Sequence, residues 1–255
     1  AKLNRKKRSL SVDEFRTIVK QAKPLCEEVC LYLMGEPLCH PELEKILNIC
    51  LEEGVKAQIS TNAILLNRYS ELLLKSRALR QINFSLQANK ELKDILCFCK
   101  QANELRPELY INLRLWNVGV EDNEELLREI ENSLSITINR NIDVKSIKSK
   151  RIWNNVFLHF DSRFEWPALD KPLLNKKGTC YGMSSHIGIL SDGTVVPCCL
   201  DSEGNISLGN CLKGALSDIL NSDRAKNIKK GFDNNTLVED LCKRCSYIQR
   251  FSKKA

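Results

Sequence analysis

From residue 11 to about residue 135, apolar positions alternate between a spacing of three to four and short runs of strand length. Ser11 with Glu14 three residues on forms a capping-box pattern, opening a helix through roughly Lys20. Val29-Cys30-Leu31-Tyr32-Leu33 is an apolar run of strand length. Pro41 opens a second helix with Leu43, Ile46, Leu47 and Cys50 on one face and Gly54 as its stop. Strands follow at Lys56–Ser60, Gln81–Leu86 and Tyr110–Leu115, separated by helices near Asn67–Lys75 and Lys90–Glu104. A helix at Asn123–Ser133 and the apolar strand Val156–Phe160 complete the series. Repeated strand–helix units specify parallel strands with helical crossovers, hence an α/β sheet or barrel.

After Trp166-Pro167 the helical period stops, and Gly, Asp, Asn and Cys become frequent. Ile187–Leu190 and Thr194–Val196 flank Ser191-Asp192-Gly193, a hairpin signal because Asp-Gly tolerates the positive φ of a tight turn. Short helices are expected at Ala215–Leu220 and Asp223–Lys230. The change of character puts a boundary near 165–175, separating an α/β domain at 1–168 from a small α+β domain at 169–255. So small an appendage has a modest core and calls for a covalent or metal staple.

The composition, with 43% hydrophobic and 28% charged residues, is that of a globular chain and excludes wholesale disorder. No apolar run reaches the length of about 18 residues that spans a bilayer. The basic start, Ala1–Arg8, is not followed by the apolar stretch of a signal peptide. A cytoplasmic protein with reduced thiols is therefore expected, with no membrane partner. The net charge of +7 gathers partly at the termini, in Lys2, Arg5, Lys6, Lys7 and Arg8 and in Arg250, Lys253 and Lys254. Elsewhere it is interleaved with acid, as on a solvated helix face, so nucleic acid is not an expected partner.

Six of the twelve cysteines lie between 180 and 245. Cys180 precedes the hairpin, Cys198 ends its second strand, and Cys242-Lys-Arg-Cys245 places two thiols on one turn. The hairpin folds back the 17 residues between Cys180 and Cys198, so all four can converge on one centre. Four thiolates suit tetrahedral Zn²⁺ or an iron–sulfur cluster, and spacing does not separate the two. Cys199 and Cys211 are spare thiols nearby, and Cys199 could replace Cys198. Cys26, Cys30, Cys50, Cys97 and Cys99 sit among apolar neighbours and read as core. Cys39 beside His40 lies on a loop.

Ligands of α/β sheets gather beyond the carboxyl ends of the strands. That region holds Gly35-Glu36-Pro37, then Thr61-Asn62, then Ser85, then Arg114 with Asn117. Glu36 suits an ammonium and Arg114 a carboxylate, a pairing that fits an amino-acid-like ligand. A polar barrel mouth with one structural arginine explains the same residues. His159, Asp161 and Glu165 end the last strand, as substrate contacts or as polar residues of a turn.

Leu33-Met-Gly-Glu-Pro-Leu-Cys-His-Pro41, Ile59-Ser-Thr-Asn62 and Ile82-Asn-Phe-Ser-Leu86 resemble the core of radical S-adenosylmethionine enzymes. Cys180, Asp192-Gly-Thr-Val-Val-Pro-Cys-Cys199, Leu208-Gly-Asn210 and Cys242-x2-Cys245 resemble their SPASM/twitch extension. The resemblance spans nearly the whole chain. It implies a partial (β/α)6 TIM-like barrel followed by an α+β iron–sulfur domain. Gly35, Glu36 and Pro37 would bind the methionine amino group, Ser85 and Arg114 its carboxylate or neighbouring groups, and Thr61 and Asn62 would lie near the ribose. Cys180, Cys198, Cys242 and Cys245 would ligate one auxiliary [4Fe–4S] cluster, the single-cluster twitch form.

The C-x3-C-x2-C motif that holds the first [4Fe–4S] cluster of such enzymes is absent from these 255 residues. Cys26-x3-Cys30 repeats its first half, but position 33 is Leu. A lost strand and cluster loop ahead of Ala1 is the favoured account, a degenerate paralogue the competing one. The resemblance implies that the intact enzyme makes a 5′-deoxyadenosyl radical and abstracts hydrogen from a small-molecule or peptide substrate, an oxidation or modification. Flavodoxin or ferredoxin would donate electrons. The chain as given is expected to be inactive without its first-cluster motif. Its rival from another class is a non-catalytic binding protein with a zinc-stapled module.

Overall fold

The computed structural model describes residues 3–86, 91–115, 123–140, 148–160 and 165–251. The chain divides into two compact units, one of residues 26–163 and one joining residues 1–25 to residues 164–255. The division after Arg163 lies close to the expected boundary. The first 25 residues, however, group with the carboxy-terminal unit and not with the sheet domain.

In the 26–163 unit, strands β1 (Glu28–Cys30), β2 (Lys56–Thr61), β3 (Leu79–Ser85), β4 (Tyr110–Leu115), β5 (Ser149–Trp153) and β6 (Val156–Phe160) form one sheet in the order β1-β2-β3-β4-β6-β5. The first five in that order are parallel, and β5 is an antiparallel edge. β5 was not foreseen: Ser-Lys-Arg-Ile-Trp shows no buried period, as befits a half-solvated edge. Helices α2 (Leu43–Glu53), α3 (Leu66–Lys75), α4 (Leu92–Leu105) and α5 (Glu124–Leu134) supply the crossovers. Gly54 stops α2 in the left-handed region at φ 71°, its expected role.

Alternation along the strands gives the sheet two unlike faces. Ala57, Ile59, Ile82, Phe84, Ile111, Leu113, Val156 and Leu158 are each no more than 2% exposed and form the core with the helices. Phe84 meets Phe98 of α4 edge to face, with centroids 5.6 Å apart. The other face is polar and half-buried, carrying Gln58, Ser60, Gln81, Ser85, Asn112, Arg114 and His159.

The second unit begins with α1 (Val12–Ala22), whose Ser11–Glu14 capping box forms as the sequence predicts. The antiparallel strands β7 (Gly188–Ile189), β8 (Thr194–Val196) and β9 (Gly209–Asn210) follow, then α6 (Leu216–Leu220), α7 (Asp223–Asp233) and α8 (Asp240–Lys243). Gly193 turns the hairpin at φ +85° and donates its N–H to the Leu190 carbonyl at 2.8 Å. Gln21 at the end of α1 holds both the Cys211 carbonyl (2.8 Å) and the Leu216 N–H (2.7 Å). These two hydrogen bonds tie the end of α1 to the distant carboxy-terminal residues.

Candidate functional site

In the sheet unit, strand register decides which residues share a face. Ser85, Arg114 and His159 are successive partners across β3, β4 and β6. Matched parallel positions point to the same side, so the three line one row near the carboxyl ends of their strands. A second row beneath it runs Ser60, Asn83, Asn112, Phe157. Here Asn83 donates to the Ser60 hydroxyl at 3.0 Å and accepts from Asn112 at 2.8 Å and Gln81 at 2.9 Å. The side chains of the row above such a satisfied amide layer have a fixed floor.

Two loops at the same end are tied together by Glu36. It caps the 3₁₀ turn Pro37–Cys39, accepting from Leu38 N–H at 3.1 Å with one oxygen and from Asn62 N–H at 2.9 Å with the other. Gly35 has open space where a side chain would stand. Asn62 accepts the Ile64 N–H at 3.0 Å. Thr61 is otherwise placed than a ribose-facing side chain requires. It is 2% exposed, on the face of Ile59 and Ala57, and its hydroxyl accepts the Ala63 N–H at 3.1 Å. Only its backbone remains for a ligand on the polar side. Glu165 lies in the second unit, where it pairs with Lys171 at 2.9 Å. Asn117 and Asp161 lie outside the described residues.

The second unit brings Cys180, Cys198, Cys242 and Cys245 to the lining of one pocket, with Asp201, Ile206, Tyr247 and Phe251. Of the adjacent pair, Cys198 lines this pocket and Cys199 is exposed. Cys211 is buried elsewhere, its thiol donating to the Gly193 carbonyl at 3.3 Å. Cys50 and Cys99 are buried as core residues, whereas Cys30, Cys39 and Cys97 are exposed and Cys26 is half-buried. For Cys30 and Cys97 the core expectation is therefore corrected: the first stands on edge strand β1 and the second on the outer side of α4.

Burial pushes all four pocket thiols up, Cys198 to about 12. Their own negative forms oppose one another as well: Cys180 raises Cys198, and Cys180, Cys198 and Cys245 raise Cys242. Against this, backbone N–H groups turn toward the sulfurs. Gly182 donates to Cys180 at 3.4 Å, Leu200 and Asp201 face Cys198, and Tyr247 and Ile248 face Cys245. Four desolvated, mutually repelling thiols, three of them with amides aimed at the sulfur, fit a cationic centre that takes them as thiolates. Among the described residues no three His, Cys, Asp or Glu side chains close around a single-ion position.

Comparison with known proteins agrees. The radical SAM superfamily pattern matches residues 2–132, and the SPASM pattern, an iron–sulfur cluster-binding domain, matches residues 180–246. No protein of curated function matches the sequence. BtrN, solved in complex with AdoMet and 2-DOIA, has a TM-score of 0.61 at 16% identity, over 96% of this chain and 83% of its own. Streptococcus suis SuiB bound to precursor peptide SuiA has a TM-score of 0.62 at 18% identity, over 96% of this chain and 66% of its own. The enzyme anSMEcpe with bound AdoMet and Cp18Cys peptide has a TM-score of 0.56 at 13% identity, over 95% of this chain and 80% of its own. At these identities the likeness speaks for the fold alone. The two family patterns imply [4Fe–4S] clusters and S-adenosylmethionine as cofactors. On the match over its first half, the chain belongs to the radical SAM superfamily of enzymes, with an SPASM iron–sulfur domain after it.

Proposed function

We propose that this chain holds S-adenosylmethionine over the polar face of its sheet and, together with the first [4Fe–4S] cluster that such enzymes carry, oxidises or otherwise modifies a peptide or small molecule bound there. Given one electron from that first cluster, bound S-adenosylmethionine would supply a carbon radical that abstracts hydrogen. The residues of the chain bind and orient. Gly35, Glu36 and Pro37 receive the methionine amino group, while Ser85 and Arg114 hold its carboxylate or neighbouring groups. The Asn62 side chain and the Thr61 backbone border the ribose. Cys180, Cys198, Cys242 and Cys245 ligate the auxiliary [4Fe–4S] cluster, and an electron donor such as flavodoxin or ferredoxin supplies electrons.

The observation that carries this reading is the row Ser85–Arg114–His159. It places a hydroxyl, a permanent cation and an imidazole side by side at the strand ends. Peptide substrates are supported by SuiB and anSMEcpe, both solved with peptides, and small molecules by BtrN with 2-DOIA. These 255 residues contain no C-x3-C-x2-C, so this chain alone should bind S-adenosylmethionine without cleaving it. Calorimetric titration with S-adenosylmethionine tests the reading. Binding that Arg114→Ala weakens at least tenfold supports it, and the absence of binding, or 5′-deoxyadenosine released under reductant, contradicts it.

A further inference from the structure

The loop from Cys198 to Ile206 contains a buried carboxylate that none of the roles above uses. Asp201 has no exposed surface and lines the pocket of the four cysteines. Its oxygens accept from two successive amides, Asn205 at 2.8 Å and Ile206 at 2.7 Å. Its own N–H donates to the Cys198 carbonyl at 3.3 Å. One residue thus ties the loop at both ends, by its side chain at Asn205 and Ile206 and by its backbone at Cys198. Ile206 is thereby set into the apolar cluster with Ile228, Phe232 and Leu241, against which Cys180 and Cys242 pack.

The outer side of this loop is held from the other end of the sequence. Arg5 donates to the Ser202 carbonyl at 3.4 Å and pairs with Asp192 at 3.0 Å. The Asn4 N–H donates to the Glu203 carboxylate at 3.0 Å, across 199 positions of sequence. Burying a whole carboxylate is costly, and a neutral amide or hydroxyl would cap the same amides more cheaply. A charge kept in this place therefore suggests a use for the charge.

We propose that Asp201 is a positioning residue for the auxiliary cluster. Its carboxylate pins the far end of the Cys198–Ile206 loop through the Asn205 and Ile206 amides and sets a negative charge beside the cluster, while Asn4 and Arg5 clamp the loop from outside. A nearby anion opposes the arrival of an electron, so Asp201 holds the reduction potential of the cluster down. This inference rests on the assignment of the four cysteines as ligands.

The test is a redox titration, followed by electron paramagnetic resonance, of the anaerobically reconstituted 255-residue chain and its Asp201→Asn and Arg5→Ala variants. A wild-type chain without iron and sulfide would overturn the ligand assignment itself, and the inference with it. With the cluster present, Asp201→Asn at equal iron content should raise the midpoint. The expected change is at least tenfold in the oxidised-to-reduced ratio at fixed poise, 59 mV for a one-electron couple. An unchanged midpoint overturns the inference. If Asp201→Asn does not retain a cluster, Arg5→Ala decides. It should lose iron to a chelator several-fold faster than wild type at an unchanged unfolding midpoint, and an unchanged rate contradicts the clamp.

Discussion

Glu36 and Asn62 join two loops that strand order alone would leave independent: the carboxylate after β1 accepts the backbone N–H that follows β2 at 2.9 Å. The same carboxylate caps its own turn at Leu38, so the Gly35-Glu36-Pro37 segment is braced before any ligand arrives. Such bracing reduces the ordering cost of binding.

Replacing Glu36 therefore tests binding and structure separately. Glu36→Ala strands two amide donors and should cost about 1–3 kcal/mol of stability in urea unfolding. Glu36→Gln keeps one acceptor oxygen on the loop but loses the charge proposed to receive the methionine ammonium. Calorimetry should show at least a tenfold loss of S-adenosylmethionine affinity for Glu36→Gln with much of the stability retained.

Arg106 is a buried cation of the sheet unit. Its guanidinium donates to the Leu74 (3.1 Å), Ser76 (2.8 Å) and Leu79 (3.0 Å) carbonyls, with the side chain 4% exposed. It stitches the end of α3 to the start of β3. Arg106→Met should leave these carbonyls unpaired and cost about 3–5 kcal/mol in urea unfolding. Lysine, lacking the planar fork, should rescue little of it.

The elements around both sites were largely legible because their periods are strong. The capping box of α1, the Gly54 stop and the Asp192-Gly193 turn all read from local chemistry. The two-residue period also held information left unused. Thr61 shares parity with Ile59 and Ala57, which places it on the core face, while Ser60 shares parity with Gln58 on the polar one. Strand β9 and helix α8, of two and four residues, are too short to show any period. The clasp of Gln21 on Cys211 and Leu216 spans about 190 positions and leaves no local mark. The choice between Cys198 and Cys199 likewise depended on which thiol the hairpin turns inward.

Gly193 tests the hairpin that brings Cys198 to the pocket. A Cβ there would stand 2.6 Å from Leu212 Cγ and 2.8 Å from Asn210 Oδ1, at φ +85°. Gly193→Ala should destabilise the carboxy-terminal unit by about 1–3 kcal/mol. Iron retained after gel filtration should fall with it.

The pocket thiols predict how the metal-free protein responds to alkali. Burial raises Cys198 from an ordinary value near 9 to about 12 in the folded chain. The unfolded chain then loses its proton first, so stability is full below about pH 9 and declines as pH rises toward 12. Thermal melts of the metal-free protein should fall over that window. The reconstituted protein, whose thiolates are already formed, should show a smaller fall.

In the proposed function Cys180, Cys198, Cys242 and Cys245 together hold an iron–sulfur cluster in the carboxy-terminal unit. Iron and acid-labile sulfide analysis of the anaerobically reconstituted chain, beside Cys198→Ala and Cys199→Ala, tests it most directly. Iron and sulfide should be present in equal amounts in wild type and Cys199→Ala and be lost from Cys198→Ala. Zinc without sulfide in the wild-type chain, or a Cys198→Ala variant that keeps its full iron, would contradict the account.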